Sequence, residues 1–118
     1  MNMKGKSLSR EALEIIAARF RALSDASRLQ ILQCLFAGER SVQELCQQTA
    51  MNQANVSKHL AVLLEQGIVG RRRQGSFIHY SISDTSIFQL CELVCTAAGN
   101  RFASAAEALQ TADNSSKN

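Results

Sequence analysis

A mainly helical domain carrying one small β-hairpin is the fold class this sequence predicts, and three observations predict it. Apolar residues recur at helical spacing through most of the chain, each run preceded by a residue able to cap a helix. Between Ile68 and Ile82 the pattern changes to two short runs parted by Gln74-Gly75-Ser76, which marks a hairpin. Proline is absent from all 118 residues, so glycines and polar caps must end the helices.

Ser9, with Glu11 behind it, can open a first helix, whose apolar positions Leu13, Ile16, Ala17 and Phe20 keep the 3.6 period. Asp25 can cap a second, with Leu29, Leu32, Leu35 and Phe36 on one side and Gly38 as its stop. Ser41 and Glu44 form a capping box for a third: the hydroxyl takes the N3 amide and the carboxylate reaches back. Val42, Leu45 and Cys46 are its buried side. Asn52 can cap a fourth, with Val56, Leu60, Leu63 and Leu64 as the apolar stripe and Gly67 as the end. In the second hairpin strand Ile78, Tyr80 and Ile82 alternate with Phe77, His79 and Ser81, as a half-buried strand requires. Asp84 opens the last helix. Its stripe of Ile87, Leu90, Cys91, Val94, Cys95, Ala98 and Phe102 weakens beyond Gly99. One domain is expected over residues 9–110, between a flexible N-terminal segment 1–8 and a loose tail 111–118 that has no apolar residue after Ala112.

Composition removes several function classes. Hydrophobic residues make up 46%, ordinary for a globular chain. No apolar run approaches the roughly 20 residues of a membrane helix, and the N-terminus lacks the apolar core of a signal peptide. A cytoplasmic protein is expected, with Cys34, Cys46, Cys91 and Cys95 as free thiols. The two histidines are joined by no nucleophile elbow or phosphate loop, and Cys91-x-x-x-Cys95 is not the Cys-x-x-Cys of thiol oxidoreductases. The sequence reads as no enzyme.

The net charge of +3 says little by itself, but its placement says more. From Asn52 to Tyr80 four fixed positive charges (Lys58, Arg71, Arg72, Arg73) stand against one negative, Glu65. Helix, turn, polar-faced helix and basic hairpin, in that order, make a helix-turn-helix followed by a wing, a unit that reads duplex DNA. Gln53, Asn55, Ser57 and Lys58 lie near the start of the fourth helix, off its apolar stripe. Glutamine and asparagine can bond adenine edges in pairs, while serine and lysine suit bases or phosphate. His59 can touch a phosphate or pack beside the turn. Alternation along the first strand sends Arg71 and Arg73 to one face, as phosphate contacts, and Arg72 to the other. The competing explanations are a solvated helix face and charged residues that blunt a strand edge. The terminal helices carry more apolar surface than so small a domain covers easily; a homodimer would bury it, and covering it within the monomer is the alternative.

These motifs resemble the ArsR/SmtB family of winged-helix repressors. FRALSDASRLQIL, from Phe20 to Leu32, resembles the family's second-helix signature, with Ala26 where proline is usual. NVSKHLAVLLEQGIV, from Asn55 to Val69, is similar to its recognition helix, and RRRQGSFIHYSI to its wing. The resemblance implies a homodimer paired through the first and last helices. It also implies a double-stranded operator with imperfect palindromic symmetry, released when a metal ion or reactive small molecule binds. The family's metal sites are poorly matched. Asp84 fits the last-helix zinc site, but Ser86, Ala97 and Asn100 occupy its other positions. At the third-helix site Cys46 is followed by Gln48 where a second thiolate belongs.

Cys91 and Cys95, with Cys34, remain as effector candidates. Neighbours at i, i+4 have Cβ atoms about 5–6 Å apart, too far for a direct disulfide, which wants about 3.5–4.5 Å. A soft ion at about 2.3 Å per sulfur can bridge them. Related thiol sensors pair a second-helix cysteine with one in the last helix, but Gln33 and Gly99 match those places. The expectation is a DNA-binding repressor that needs no cofactor and is released by a thiophilic or thiol-reactive effector: a soft metal ion, arsenite, an oxidant or a persulfide. The alternative is a winged-helix DNA-binding or protein-interaction module with no effector and purely structural cysteines.

Overall fold

Among the described residues, five helices and a small antiparallel sheet follow in the order α1 (Arg10–Leu23), α2 (Ala26–Phe36), β1 (Arg40–Ser41), α3 (Val42–Thr49), α4 (Gln53–Glu65), β2 (Val69–Gln74), β3 (Phe77–Ile82), α5 (Ser86–Lys117). The computed structural model describes residues 5 and 7–117, with side chains at 5, 7–104 and 107. The expected N-terminal segment 1–8 falls mostly outside these residues. Of the expected tail 111–118 only a helical backbone to Lys117 is described. The chain divides into two compact units, Met1–Asp84 and Thr85–Asn118.

In the first unit each helix begins where a side chain can satisfy its orphan amides. The Ser9 hydroxyl accepts from the Ala12 amide (3.1 Å), Asp25 from Arg28 (3.1 Å) and Asn52 from Asn55 (2.8 Å). The box at α3 closes in both directions: the Glu44 amide donates to Ser41 Oγ (3.2 Å) and the Ser41 amide to Glu44 Oε1 (2.9 Å). α4 ends in a Schellman pair, Gly67 N–H to the Leu64 carbonyl and Ile68 N–H to Leu63 (each 3.0 Å), with Gly67 at φ 68°.

Two expectations need correction here. In α2 the buried residues are Ile31, Leu32 and Leu35, whereas Leu29 is 43% exposed. A stripe drawn through Leu29 was rotated, because the face that meets α3, α4 and β3 is centred between Ile31 and Leu35. The last helix begins at Ser86, two residues after Asp84, whose carboxylate pairs with Arg19.

The sheet also has a strand that periodicity could not reveal. β1 pairs with β3 (Arg40↔Tyr80, Ser41↔His79), giving the order β1-β3-β2. Two residues are too few to show alternation. The hairpin loop is Gly75-Ser76, one residue shorter than the expected gap, because Gln74 pairs with Phe77. Gly75 has φ 63° and Ser76 does not have positive φ, the pattern of a type II′ turn. Leu45, Val56, Leu60, Leu63, Ile68, Val69 and Tyr80 complete the core of this unit with the α2 residues.

The turn between α3 and α4 hinges on Ala50, in the left-handed region at φ 59°, ψ 21°. Buried Thr49 stitches it: its hydroxyl donates to the Leu45 carbonyl (2.6 Å) and accepts from the Met51 amide (3.4 Å). An L-residue with a Cβ costs about 1–2 kcal/mol there, and glycine returns roughly 0.4–1 kcal/mol of that through a freer unfolded chain. Ala50→Gly is therefore expected to stabilise the domain by about 0.5–1 kcal/mol, seen as a higher urea midpoint at unchanged slope. A lower midpoint would contradict this account of the turn.

Candidate nucleic-acid interface

The start of α4 presents a mostly polar surface, broken by the exposed Ala54. Gln53, Asn55, Ser57 and Lys58 are exposed, while Val56 and Leu60 are buried and anchor the helix on α2 and α3. The Asn52 cap uses the Asn55 amide and leaves the Asn55 side chain outside the helix backbone bonding. Four donor- or acceptor-bearing side chains thus surround the first turn and a half of one helix. The structure brings these sequence-predicted residues together.

On the wing, Arg71 is opposite Tyr80 and Arg73 opposite Ile78, whereas Arg72 is opposite His79. Directly paired residues share a face of a sheet, so Arg71 and Arg73 extend the face whose base is the buried Val69 and Tyr80. All three arginines are exposed. Arg72 is nonetheless engaged: Nε and NH2 donate to the two Glu39 carboxylate oxygens at 2.8 and 2.6 Å. That fork holds the Glu39 carboxyl below its ordinary value and raises Arg72 above its own. The bridge spans β3 from the segment before β1 and ties the wing to the helical body.

His59, half-buried, sits one turn behind Asn55 with Nδ1 3.2 Å from Arg28 NH1. Arg28 also donates to the Ala22 carbonyl (2.7 Å) and the Arg21 carbonyl (3.2 Å) at the end of α1. At the other end of α4, Arg19 donates to the Gln66 carbonyl (2.7 Å) and pairs with Asp84. Arg19, Arg28 and Glu39 were not singled out from the sequence. The partners of Arg19 and Glu39, and His59 beside Arg28, lie 31 to 65 residues away; Arg28 also has near partners, the Ala22 and Arg21 carbonyls six and seven residues back and Asp25 at i, i+3.

The cysteines are divided between the units. Cys34 and Cys46 lie half-buried in the first, on α2 and α3, and Cys91 and Cys95 lie on α5, half-buried and exposed respectively. Burial pushes the Cys91 thiol up, and the neighbouring Cys95 adds to this. Among the described residues no group of three or more His, Cys, Asp or Glu side chains could hold a metal ion. No helix among the described residues is long and apolar enough to cross a membrane.

The model of the bacterial regulatory protein, arsR family, matches residues 25–70, which run from the α2 cap to the first residues of β2. A probable mercury resistance operon repressor of Streptomyces lividans is 40% identical over 82 residues, covering 69% of this chain and 66% of that protein. The transcriptional regulator Rv0324 of Mycobacterium tuberculosis is 36% identical over 107 residues, 90% of this chain but 47% of its own length. The chain thus spans about two thirds of one relative and about half of the other. The homodimeric winged helix-turn-helix domain of Mb0332 from Mycobacterium bovis superposes with a TM-score of 0.73 at 35% identity, covering 85% of this chain and 94% of that one. Motif order, backbone and relatives agree: the chain belongs to the arsR family of bacterial regulatory proteins and is a winged helix-turn-helix DNA-binding transcriptional regulator.

Proposed function

We propose that this regulator is a homodimeric repressor that reads a palindromic operator through α4, grips it through the wing and lets go when a thiophilic or thiol-reactive compound engages Cys91 and Cys95. The observation that carries the DNA half is the exposed polar start of α4 beside a wing face bearing Arg71 and Arg73. Gln53 and Asn55 read base edges; Ser57, Lys58, Arg71 and Arg73 hold the backbone. His59 joins them as a backbone contact. Repression is supported by the name of the mercury-resistance relative, and a homodimer by the Mb0332 domain.

Each unit exposes apolar side chains that a dimer would cover: Leu13, Ile15 and Phe20 on α1, and Phe88, Leu93, Val94 and Phe102 on α5. Sedimentation at micromolar concentration is expected to give a dimer, whose two recognition helices span about one DNA turn. A monomer with and without DNA would reject this part of the proposal. Binding to duplex DNA should weaken steeply with salt as counterions are displaced; salt-independent binding would reject the interface.

For the effector, the i, i+4 thiols supply two soft donors on one helix, and the exposure of Cys95 gives a ligand access. Such a ligand needs to favour the low-affinity state by only about 1–3 kcal/mol of coupling. Cys91→Ser with Cys95→Ser is expected to leave DNA binding intact and abolish release by a mercuric or arsenite probe. A double variant that is still released normally would remove these thiols from the switch. A second reading, in which the cysteines are structural and the chain has no small-molecule effector, is favoured at Cys91 alone, where burial raises the thiol and so disfavours the nucleophilic thiolate.

A further inference from the structure

We propose that Arg28 is a positioning residue that sets the tautomer of His59 and thereby turns Nε2–H of that ring into the DNA-backbone donor of α4. The proposal rests on the DNA-reading role of α4 and deepens it. A guanidinium has five N–H donors and no acceptor. Its NH1 lies 3.2 Å from His59 Nδ1, so Nδ1 must be the acceptor and the proton of the neutral ring must sit on Nε2.

The guanidinium is not free to turn away. Nε donates to the Ala22 carbonyl and NH2 to the Arg21 carbonyl, both at the C-terminal end of α1, while Asp25 caps the Arg28 amide and has a carboxylate oxygen 4.0 Å from NH1. The Arg28 side chain is only 16% exposed. Asp25 in turn is held below its ordinary carboxyl value, first by the Arg28 amide. One part-buried fork thus joins the end of α1, the cap of α2 and the middle of α4.

His59 lies at i+4 from Asn55, so it extends the polar stripe of α4 by one turn toward the helix middle. With Nδ1 turned inward to Arg28, the opposite edge of the half-buried ring carries Nε2–H. A phosphate oxygen can accept from that edge, and the permanently charged arginine behind it strengthens the donor. Protein interiors commonly fix one ring nitrogen in this way so that the other can act.

Long-range nitrogen–proton correlation spectra of the free protein at about pH 8, where an ordinary histidine is neutral, test the assignment directly. His59 is expected to show an unprotonated Nδ1 and a protonated Nε2. Arg28→Met should shift the ring toward the mixed tautomers of an unrestrained imidazole, and Arg28→Lys, which keeps a donor, should restore the single form. A proton on Nδ1, or a spectrum indifferent to Arg28→Met in a folded protein, overturns the proposal.

The second arm is affinity for a mixed-sequence DNA duplex at fixed salt. H59Q, whose amide nitrogen stands near the place of Nε2, should keep the wild-type affinity. H59N, whose amide nitrogen stands near Nδ1, should weaken binding about tenfold, the loss of one hydrogen bond to a charged group, with the salt slope unchanged because a neutral donor releases no counterion. Equal affinities for H59N and wild type overturn the donor role even if the tautomer is as expected. If wild type bound no duplex at all, the DNA role of α4 would fail with it, and the free-protein spectrum would still decide the Arg28–His59 assignment.

Discussion

Leu60→Ala is expected to lower the unfolding free energy by about 2–5 kcal/mol, the usual cost of emptying a leucine-sized site in a packed core. Leu60 is 1% exposed and lies on the inner side of α4, the helix that packs on α2, α3 and β2. Domains of this size have only about 5–15 kcal/mol in total, so the variant should be partly unfolded at moderate temperature. The urea midpoint is the measurement, and the slope should stay the same if only the native state changes. A loss below about 1 kcal/mol would mean that α4 is not seated as described. The buried side of α4 then could not be what holds its polar side outward.

Arg71→Ala with Arg73→Ala is expected to weaken binding to any duplex, flattening the plot of log affinity against log salt by about two units, on the order of 50-fold in affinity at 0.1 M salt. Both arginines are exposed on one wing face, and phosphate contacts carry no sequence information. Gln53→Ala should behave oppositely, costing about 1–3 kcal/mol on the specific operator and little on mixed sequence. Arg72→Ala is the internal comparison. Its guanidinium is already satisfied by Glu39 at 2.6 and 2.8 Å, so the slope should hardly move. If Arg72→Ala alone flattened the slope while the Arg71/Arg73 pair did not, the two faces of the wing would have been assigned the wrong way round.

Much of this arrangement could be read from the chain because its causes are local. The caps at Ser9, Asp25, Ser41 and Asn52 act over two or three residues, and the Gly67 stop acts within one turn. The alternation that separates Arg72 from Arg71 and Arg73 is a property of any strand. The same locality explains the errors. Period alone could not say which edge of the α2 stripe would be covered, so Leu29 was favoured over Ile31. A left-handed Ala50 was not foreseen, because alanine carries no turn signal and the conformation is imposed by the two helices it joins.

By itself, then, the sequence determined the succession of helices and hairpin, the buried side of α4, the polar residues at its start and the basic wing, all set by contacts within about a turn or two. Tertiary structure alone decided which charges are available and which are consumed. Arg72 is bound by Glu39, Arg28 by His59 and Arg19 by Gln66 and Asp84 across separations of 31 to 65 residues, and Arg28 also by the end of α1, six and seven residues back. Equal positive charges in the sequence have unequal roles in the fold because a guanidinium holds whichever carbonyl, ring nitrogen or carboxylate the packing of α1, α2 and the sheet brings within about 3 Å of it.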